Sequence, residues 1–378
     1  MQNIVMIAQP IQRIPPTSAA AVEWWMWQVC RSLARSGKYV PHIVCTGEND
    51  DSPEVEIRDG VHFYRISLSK AYKRLFQKWT RLDPYGYAAR AAQYVKKVDA
   101  HIIHTHNSPA LHMQIRSHLK GRKSILHMHN EKLPPAGFKA NCVLTVSEYL
   151  AGWYRERLPD MDIRVITNGV DRQAYTCDTE KPEWKIGFSA QKKVVLFAGR
   201  ISPEKGLNRL AEAMALLFPI HPDLQLVIIG GRSSGGNDRA KYADKLEAFL
   251  KPFASQVLWL GSVHPDAMPA HYRAADLLVI PSVFEEPFGM VCLEGMAAGV
   301  PVLAARKGGL PEFVSEGING YLIDEPGDAA TLASQIDRIL ESKDEAGNVA
   351  REAARYARQH HDWSIVSEKL SGIYDDFV

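Results

Sequence analysis

Short apolar runs separated by helix-length segments recur along most of this chain, and that alternation constrains the fold more than any other feature. The runs are Asn3 to Ala8, Val40 to Cys45, His101 to His104, Ser124 to His127 and Cys142 to Val146, followed by Lys193 to Arg200, Leu224 to Gly231, Val257 to Val263, Leu277 to Ser282 and Pro301 to Ala305. Strands of this kind joined by helices predict an α/β protein with doubly wound parallel sheets. The first run leads through a loop holding Pro10, Pro15 and Pro16 into a helix expected from near Ser18 to about Ser36. Residues 177–192 are polar, without a sustained period, and read as a connection after the segment Val165 to Asp171. The 378 residues therefore divide into two Rossmann-like domains, 1–172 and one starting at 173. No internal repeat or low-complexity tract interrupts the rhythm.

Composition narrows the function classes. No apolar run reaches the roughly 18 residues of a membrane span, and the opening MQNIVMIA lacks the basic start and cleavage site of a secretory signal, so a cytoplasmic protein is expected. Cys30, Cys45, Cys142, Cys177 and Cys292 are scattered and form no CxxC, against both a disulfide framework and a thiolate zinc site. The net charge of +2 hides an asymmetry: residues 1–172 hold 24 Lys plus Arg against 15 Asp plus Glu, a net +9, and the remainder holds 21 against 28, a net −7. A basic excess confined to one domain favours an anionic partner such as a phosphorylated substrate, lipid headgroups or nucleic acid. Leu68 to Arg81 concentrates it, with Leu68, Tyr72, Leu75, Phe76 and Trp79 on one helical face and Lys70, Lys73, Arg74, Lys78 and Arg81 over the rest. Such a helix either lies on an anionic membrane or packs its apolar face on its own domain.

The stretch Glu285 to Gly309, EEPFGMVCLEGMAAGVPVLAARKGG, reads as loop, helix, strand, loop. It presents Glu286 from the loop and Glu294 from the first turns of the helix, a pair able to hold polyhydroxylated groups beside a helix N-terminus. GRISPEKG, Gly199 to Gly206, follows a strand and precedes a helix, so Arg200 and Lys205 project at the carboxyl edge of the sheet, where they suit a diphosphate. They could equally be two surface cations. Gly231 and Val263 also end strands and would let a ring approach the backbone, with Val263 pairing a nucleobase edge. In the first domain, IPPTSAAAVE places the small residues Ser18, Ala20 and Ala21 at a helix start, either near a bound acceptor or phosphate or simply as good helix formers. HTHNS and HMHNE each fall after a strand; His127 and His129 are taken to face opposite sides, with His129 the one that reaches the cleft between the domains. The D-x-D at Asp160 to Asp162 reads as a solvated turn, and no phosphate-loop or dinucleotide fingerprint is present.

Together GRISPEKG, AADLLVIPSVFEEPFGMVCLEGMAAGVPVLAARKGGLPEFV, GINGYLI, VSEYL and NGVD resemble the retaining glycosyltransferases of family 4, with their E-x7-E element at Glu286 and Glu294. IPPTSAAAVE, YKRLFQKWTRLDP and HMHN are most similar to the enterobacterial lipopolysaccharide core transferases, in particular the outer-core N-acetylglucosaminyl enzymes. The resemblance implies a GT-B fold of two facing domains, acceptor-binding 1–172 and nucleotide-sugar-binding 173–360, with residues 361–378 crossing back to the first. By position it implies Arg200 and Lys205 on the donor diphosphate, Glu294 on the ribose, Glu286 on the transferred sugar, and His129 at the reacting centre. The backbone of Phe288, Gly289, Met290 and Val291 adds contacts to sugar and phosphate. Where the family commonly has a Gly pair, this chain has Ala20 and Ala21, which implies a less close backbone approach.

The expected reaction is transfer of a hexose or N-acetylhexosamine, with UDP the expected nucleotide, to lipopolysaccharide core, with retention, no cofactor and no metal. No carboxylate is placed as a nucleophile for double displacement, so front-face attack fits better. The expected setting is the inner face of the bacterial inner membrane, with Lys73, Arg74, Lys78 and Arg81 on membrane or acceptor, no nucleic acid partner, and a monomer or weak oligomer. The alternatives are a nucleotide-sugar epimerase or phosphorylase, a transferase for capsule or exopolysaccharide, and a non-catalytic carbohydrate-binding peripheral protein.

Overall fold

The computed structural model describes residues 1–16, 20–47, 53–68, 71, 86–176, 182–186, 192–231, 237–324 and 327–377. They form two compact units, Met1–Gly169 with Trp363–Val378, and Val170–Asp362. The basic segment Leu68 to Arg81, with Lys73, Arg74, Lys78 and Arg81, lies outside the described residues except for Leu68 and Ala71, and Ser18 and Cys177 also lie outside them.

The first unit is built on β1 (Gln2–Ile7), β2 (Tyr39–Thr46), β3 (Val55–Arg58), β4 (Val61–Ile66), β5 (Ile102–His106), β6 (Lys123–Met128), β7 (Cys142–Thr145) and β8 (Ile163–Val165). Their order is β3-β4-β2-β1-β5-β6-β7-β8. Among the described residues only β3 and β4 pair antiparallel, and the alternation of apolar runs gave no sign of that hairpin. Its signal is local: Asp59 and Gly60 both have positive φ, 51° and 77°, the conformation of a two-residue turn that matches strand twist. Helices α1 (Ala21–Arg35), α2 (Tyr87–Lys97), α3 (Pro109–His118) and α4 (Glu148–Arg155) connect the strands.

The last helix of the chain, α13 (Trp363–Asp375), belongs to this unit. Its Val366, Leu370 and Tyr374 share one buried cluster with Trp25, Met26, Val29, Cys30 and Leu33 of α1. Polar groups fix the register of the pair: Ser32 and Ser367 hydroxyls lie 2.6 Å apart, and Lys38 reaches Asp375 at 2.5 Å.

The second unit holds β9 (Lys193–Ala198), β10 (Leu224–Ile229), β11 (Val257–Gly261), β12 (Leu277–Ile280), β13 (Val302–Ala305) and β14 (Tyr321–Ile323), ordered β11-β10-β9-β12-β13-β14. Every pair is parallel. Around them lie α5 (Arg172–Thr176), α6 (Glu183–Ile186), α7 (Leu207–Leu217), α8 (Asn237–Leu250), α9 (Met268–Arg273), α10 (Met290–Ala298), α11 (Ala329–Glu341) and α12 (Lys343–His360). β9 is buried from Val194 on, and β10, β12, β13 and β14 throughout, as parallel sheets covered on both faces require. In each sheet the strand order reverses once, at β1 and β5 in the first unit and at β9 and β12 in the second. Loops leaving the carboxyl ends of those strands converge where ligands bind in such folds.

Cys30, Cys45, Cys142 and Cys292 are buried free thiols. Among the described residues no helix is long and apolar enough to cross a membrane. Asp162 of the D-x-D turn is occupied by Arg164, 2.9 Å away.

Because Leu370 is fully buried between α13 and α1, Leu370→Ala should lower unfolding free energy by about 2–5 kcal/mol. Urea denaturation checks this, and a loss below about 1 kcal/mol, the scale of a surface change, would remove α13 from the core.

Candidate functional site

In the second unit the reversal of strand order brings the loop after β9 beside the loop after β12. The β9 loop carries Arg200 and ends at Gly206, which caps α7. Gly206 has φ +71°, and a Cβ there would lie 1.8 Å from the Pro281 carbonyl oxygen, so the two loops touch backbone to backbone. That contact sets Lys205 opposite Glu286. The Lys205 ammonium donates to Glu286 Oε1 at 2.6 Å, and the Ser282 hydroxyl donates to the same oxygen at 2.6 Å. Glu286 is only 5% exposed. Its backbone is clamped as well: Gly309 N–H donates to its carbonyl at 2.8 Å, and a Cβ on Gly308 would lie 2.1 Å from that carbonyl oxygen. Lys205 also sits 4.8 Å from the centre of the Phe284 ring.

Arg200 is exposed, and its guanidinium lies 3.8 Å from Glu204. Its ion pair is long and its side chain exposed, in contrast to Lys205, which is held at 2.6 Å on Glu286. The second carboxylate, Glu294, projects from α10, where its Oε2 accepts from the Tyr272 hydroxyl at 2.7 Å. Burial pushes its carboxyl up to about 7, and the Tyr272 bond opposes that shift only in part. α10 is preceded by Gly289, its N-cap, with φ +102° and no side-chain cap, so its first N–H groups, among them those of Met290 and Val291, are available to an anion. Phe288 anchors the approach by stacking on Phe313 at 4.9 Å. Gly231 and Val263 are half-buried just beyond β10 and β11. Ser282 and Tyr272 were not among the residues singled out from sequence. Ser282 closes an apolar strand four residues before Glu286 and could have been found there; Tyr272 reaches Glu294 only through packing of α9 on α10.

In the first unit the sequence reading needs correction. β5 continues through His106, so His104 and His106 lie within the strand and not after it, and His127 lies within β6. His127 and His129 do not face opposite sides. Side chains alternate with a period of two, so residues two apart share a face, and these rings are 4.2 Å apart. His106 pairs with His127 across the strands, and Trp25 of α1 packs against all four rings, at 4.5 to 6.1 Å. Burial holds every one of these imidazoles neutral, with His104 and His129 lowered to about 3 and His106 and His127 well below their ordinary value. Of the four, only His129 is partly exposed as a residue, but its ring Nδ1 is buried and its Nε2 lies 3.4 Å from His106 Nδ1. The His129 backbone N–H donates to Asn107 Oδ1 at 3.2 Å, while Gln9, after β1, donates to the Asn107 carbonyl at 2.6 Å. The loops after β1, β5 and β6 are thus tied together. Ala20 caps α1 with φ −150° and no side-chain bond, an extended conformation open to any residue, so Ala20 and Ala21 fit without strain where glycines were expected.

Comparison with known proteins agrees with both halves. Residues 22–174 match the family described as Glycosyltransferase Family 4, and residues 178–360 match Glycosyl transferases group 1. The chain is 35% identical over 376 residues to a lipopolysaccharide 1,2-N-acetylglucosaminetransferase of Salmonella typhimurium, covering 98% of this chain and 97% of that one. It is 26% identical to spore coat protein SA of Bacillus subtilis, over 99% of each chain. Among solved structures, sucrose-phosphate synthase from Thermosynechococcus elongatus superposes with a TM-score of 0.83 at 21% identity, covering 100% of this chain and 99% of the other. Anabaena Alr3699/HepE in complex with UDP and glucose gives 0.75 at 20% identity, covering 100% of both. The GT-B architecture is shared with these structures, and the chain belongs to the glycosyltransferases of family 4.

Proposed function

We propose that this glycosyltransferase moves a hexose or N-acetylhexosamine from a UDP-linked donor to the lipopolysaccharide core, with retention at the anomeric carbon and without a metal on the diphosphate. The observation that carries the reading is the buried Glu286 carboxylate held by Lys205 and Ser282 at the start of an E-x7-E element. A carboxylate fixed this way is an acceptor for sugar hydroxyls whose position does not change as the bond breaks. The second unit binds the donor: Glu294 takes the ribose hydroxyls, and the backbone from Phe288 to Val291 receives sugar and phosphate at the α10 N-terminus. Gly231 and Val263 border the nucleotide. The first unit binds the acceptor, with Ser18, Ala20 and Ala21 in its first loop, and His129 is its candidate for contacting the sugar.

The leaving group is a nucleoside diphosphate, and charge develops on it as the anomeric C–O bond breaks. Arg200 and Lys205 supply the positive charge that stabilises it. The acceptor oxygen attacks from the same face, forming the new C–O bond, while the departing phosphate oxygen takes the acceptor proton. No protein nucleophile enters, which fits Glu286 being occupied by two hydrogen bonds. The acceptor class is supported by the activity for which the Salmonella relative is named, and the UDP donor by the ligand of the Anabaena structure. The basic excess of residues 1–172 supports a site on the anionic inner face of the bacterial inner membrane.

A nucleotide-release assay with UDP-sugars and truncated core acceptors tests the reaction: release should require acceptor. Arg200→Ala, at an exposed side chain, should cut kcat/KM by about 10²-fold or more with stability unchanged. Lys205→Ala should do the same and also destabilise by about 3–5 kcal/mol, because it strands the Glu286 charge. Donor turnover without acceptor, or unchanged turnover in both variants, would overturn the assignment.

Glu294 gives a second test. Its folded pKa near 7 lies above the ordinary 4.5, so the donor-free protein binds the extra proton and loses stability as pH rises between those values. Ribose hydroxyls donate to the ionised carboxylate, so UDP affinity should rise with pH up to about 7, by roughly tenfold per unit at most, and level off above it. Glu294→Gln should flatten both profiles in calorimetry.

For the membrane reading, sedimentation with anionic vesicles should fall on changing Lys73, Arg74 and Lys78 to Glu. Unchanged binding removes the role of that segment.

A further inference from the structure

The histidines of β5 and β6 form a set that the transfer reaction does not use. Among the described residues, His104, His106 and His127 bring one ring nitrogen each within 4.8 Å of the others. All three side chains are buried, at 0% exposure. His104 Nε2 and His106 Nε2 have no hydrogen-bond partner among the described residues, and the His127 ring has at most a weak contact to the Ile166 backbone. An unpaired buried polar atom costs about 1–3 kcal/mol, and native interiors rarely keep several side by side. A core that only needed filling would be better served by Leu or Phe.

We propose that His104, His106 and His127 form a binding site for a transition-metal ion of the zinc, cobalt and nickel class. The chemistry of the donors selects that class. Neutral imidazoles offer lone pairs without losing a proton, and burial keeps these rings neutral. With no carboxylate in the set, oxygen-seeking calcium and magnesium are disfavoured. One ring is already oriented from behind, since His104 Nδ1 lies 2.7 Å from the Tyr374 hydroxyl, the kind of outer contact that aims a ligating histidine. The rings need only a small approach: bonds of about 2.0–2.1 Å to a tetrahedral ion set ligand nitrogens roughly 3.4 Å apart. Trp25 packs edge-on against His127 at 4.5 Å, and so excludes bulk water from one side. His129 lies outside the ligand set, its Nε2 3.4 Å from His106 Nδ1, and the site involves none of the residues assigned to the donor diphosphate. The bound ion would cross-link β5 to β6 and thereby brace the loops carrying Asn107 and His129.

The test uses chelator-treated, tag-free protein titrated with Zn²⁺ and with Co²⁺. Calorimetry should show one equivalent bound at micromolar or tighter affinity. Cobalt should give the intense visible absorption of a tetrahedral nitrogen site, and zinc in excess should raise the melting temperature by about 5 °C. His106→Leu and His127→Leu should each abolish all three. His221→Gln should leave them intact, because it removes instead the more exposed group of His221, Asp337 and Glu341. Should the leucine variants fail to fold, side-chain ¹⁵N resonances of the wild-type histidines read the same point, since zinc must shift His104, His106 and His127. Absent binding, loss of binding in His221→Gln, or unshifted resonances would overturn the proposal.

Discussion

The side-by-side pairing of β9 with β12, Leu277 against Val195 and Leu278 against Leu196, is the constraint on which the second unit's chemistry depends. In a parallel sheet all carboxyl ends lie at one edge, so neighbouring strands deliver their following loops to the same place, however far apart they are in the chain. Lys205 and Glu286 are 81 residues apart and meet for that reason. The close approach of Gly206 to the Pro281 carbonyl then leaves the loops little freedom to shift.

That rigidity explains how a carboxylate can stay buried. An isolated charge with Glu286's exposure would be expelled or protonated. Here the ammonium of Lys205 and the hydroxyl of Ser282 converge on one oxygen, so the charge is both neutralised and aimed. Glu294 shows the contrast. The Tyr272 hydroxyl offsets its desolvation only in part, so burial prevails and its carboxyl rises to about 7. Two glutamates spaced on one motif thus have different electrostatic characters, set by the elements packed against each.

The first unit applies the same logic to a different residue type. The loops after β1 and β5 meet through Gln9 and Asn107, as the loops after β9 and β12 do in the second unit. Its strands carry the polar side chains inside the sheet rather than at its edge, and His104, His106, His127 and His129 form one layer beneath Trp25. They are buried because parallel strands are covered on both faces and α1 with α13 closes this one.

Periodicity, apolar runs and loop positions were enough to read two doubly wound domains, the helix from Met290, and the placement of Arg200, Lys205 and Glu286 at strand ends. These follow from local rules, since an apolar run of strand length followed by a polar loop means the same thing wherever it sits. The Asp59-Gly60 hairpin was legible in its turn residues but was hidden by weak alternation in the exposed β3. What the sequence could not supply were relations across distance: that Lys205 binds Glu286, that Tyr272 restrains Glu294, and that four histidines share a face. Those depend on which strands become neighbours and on which helix covers them, and only the tertiary structure decides that.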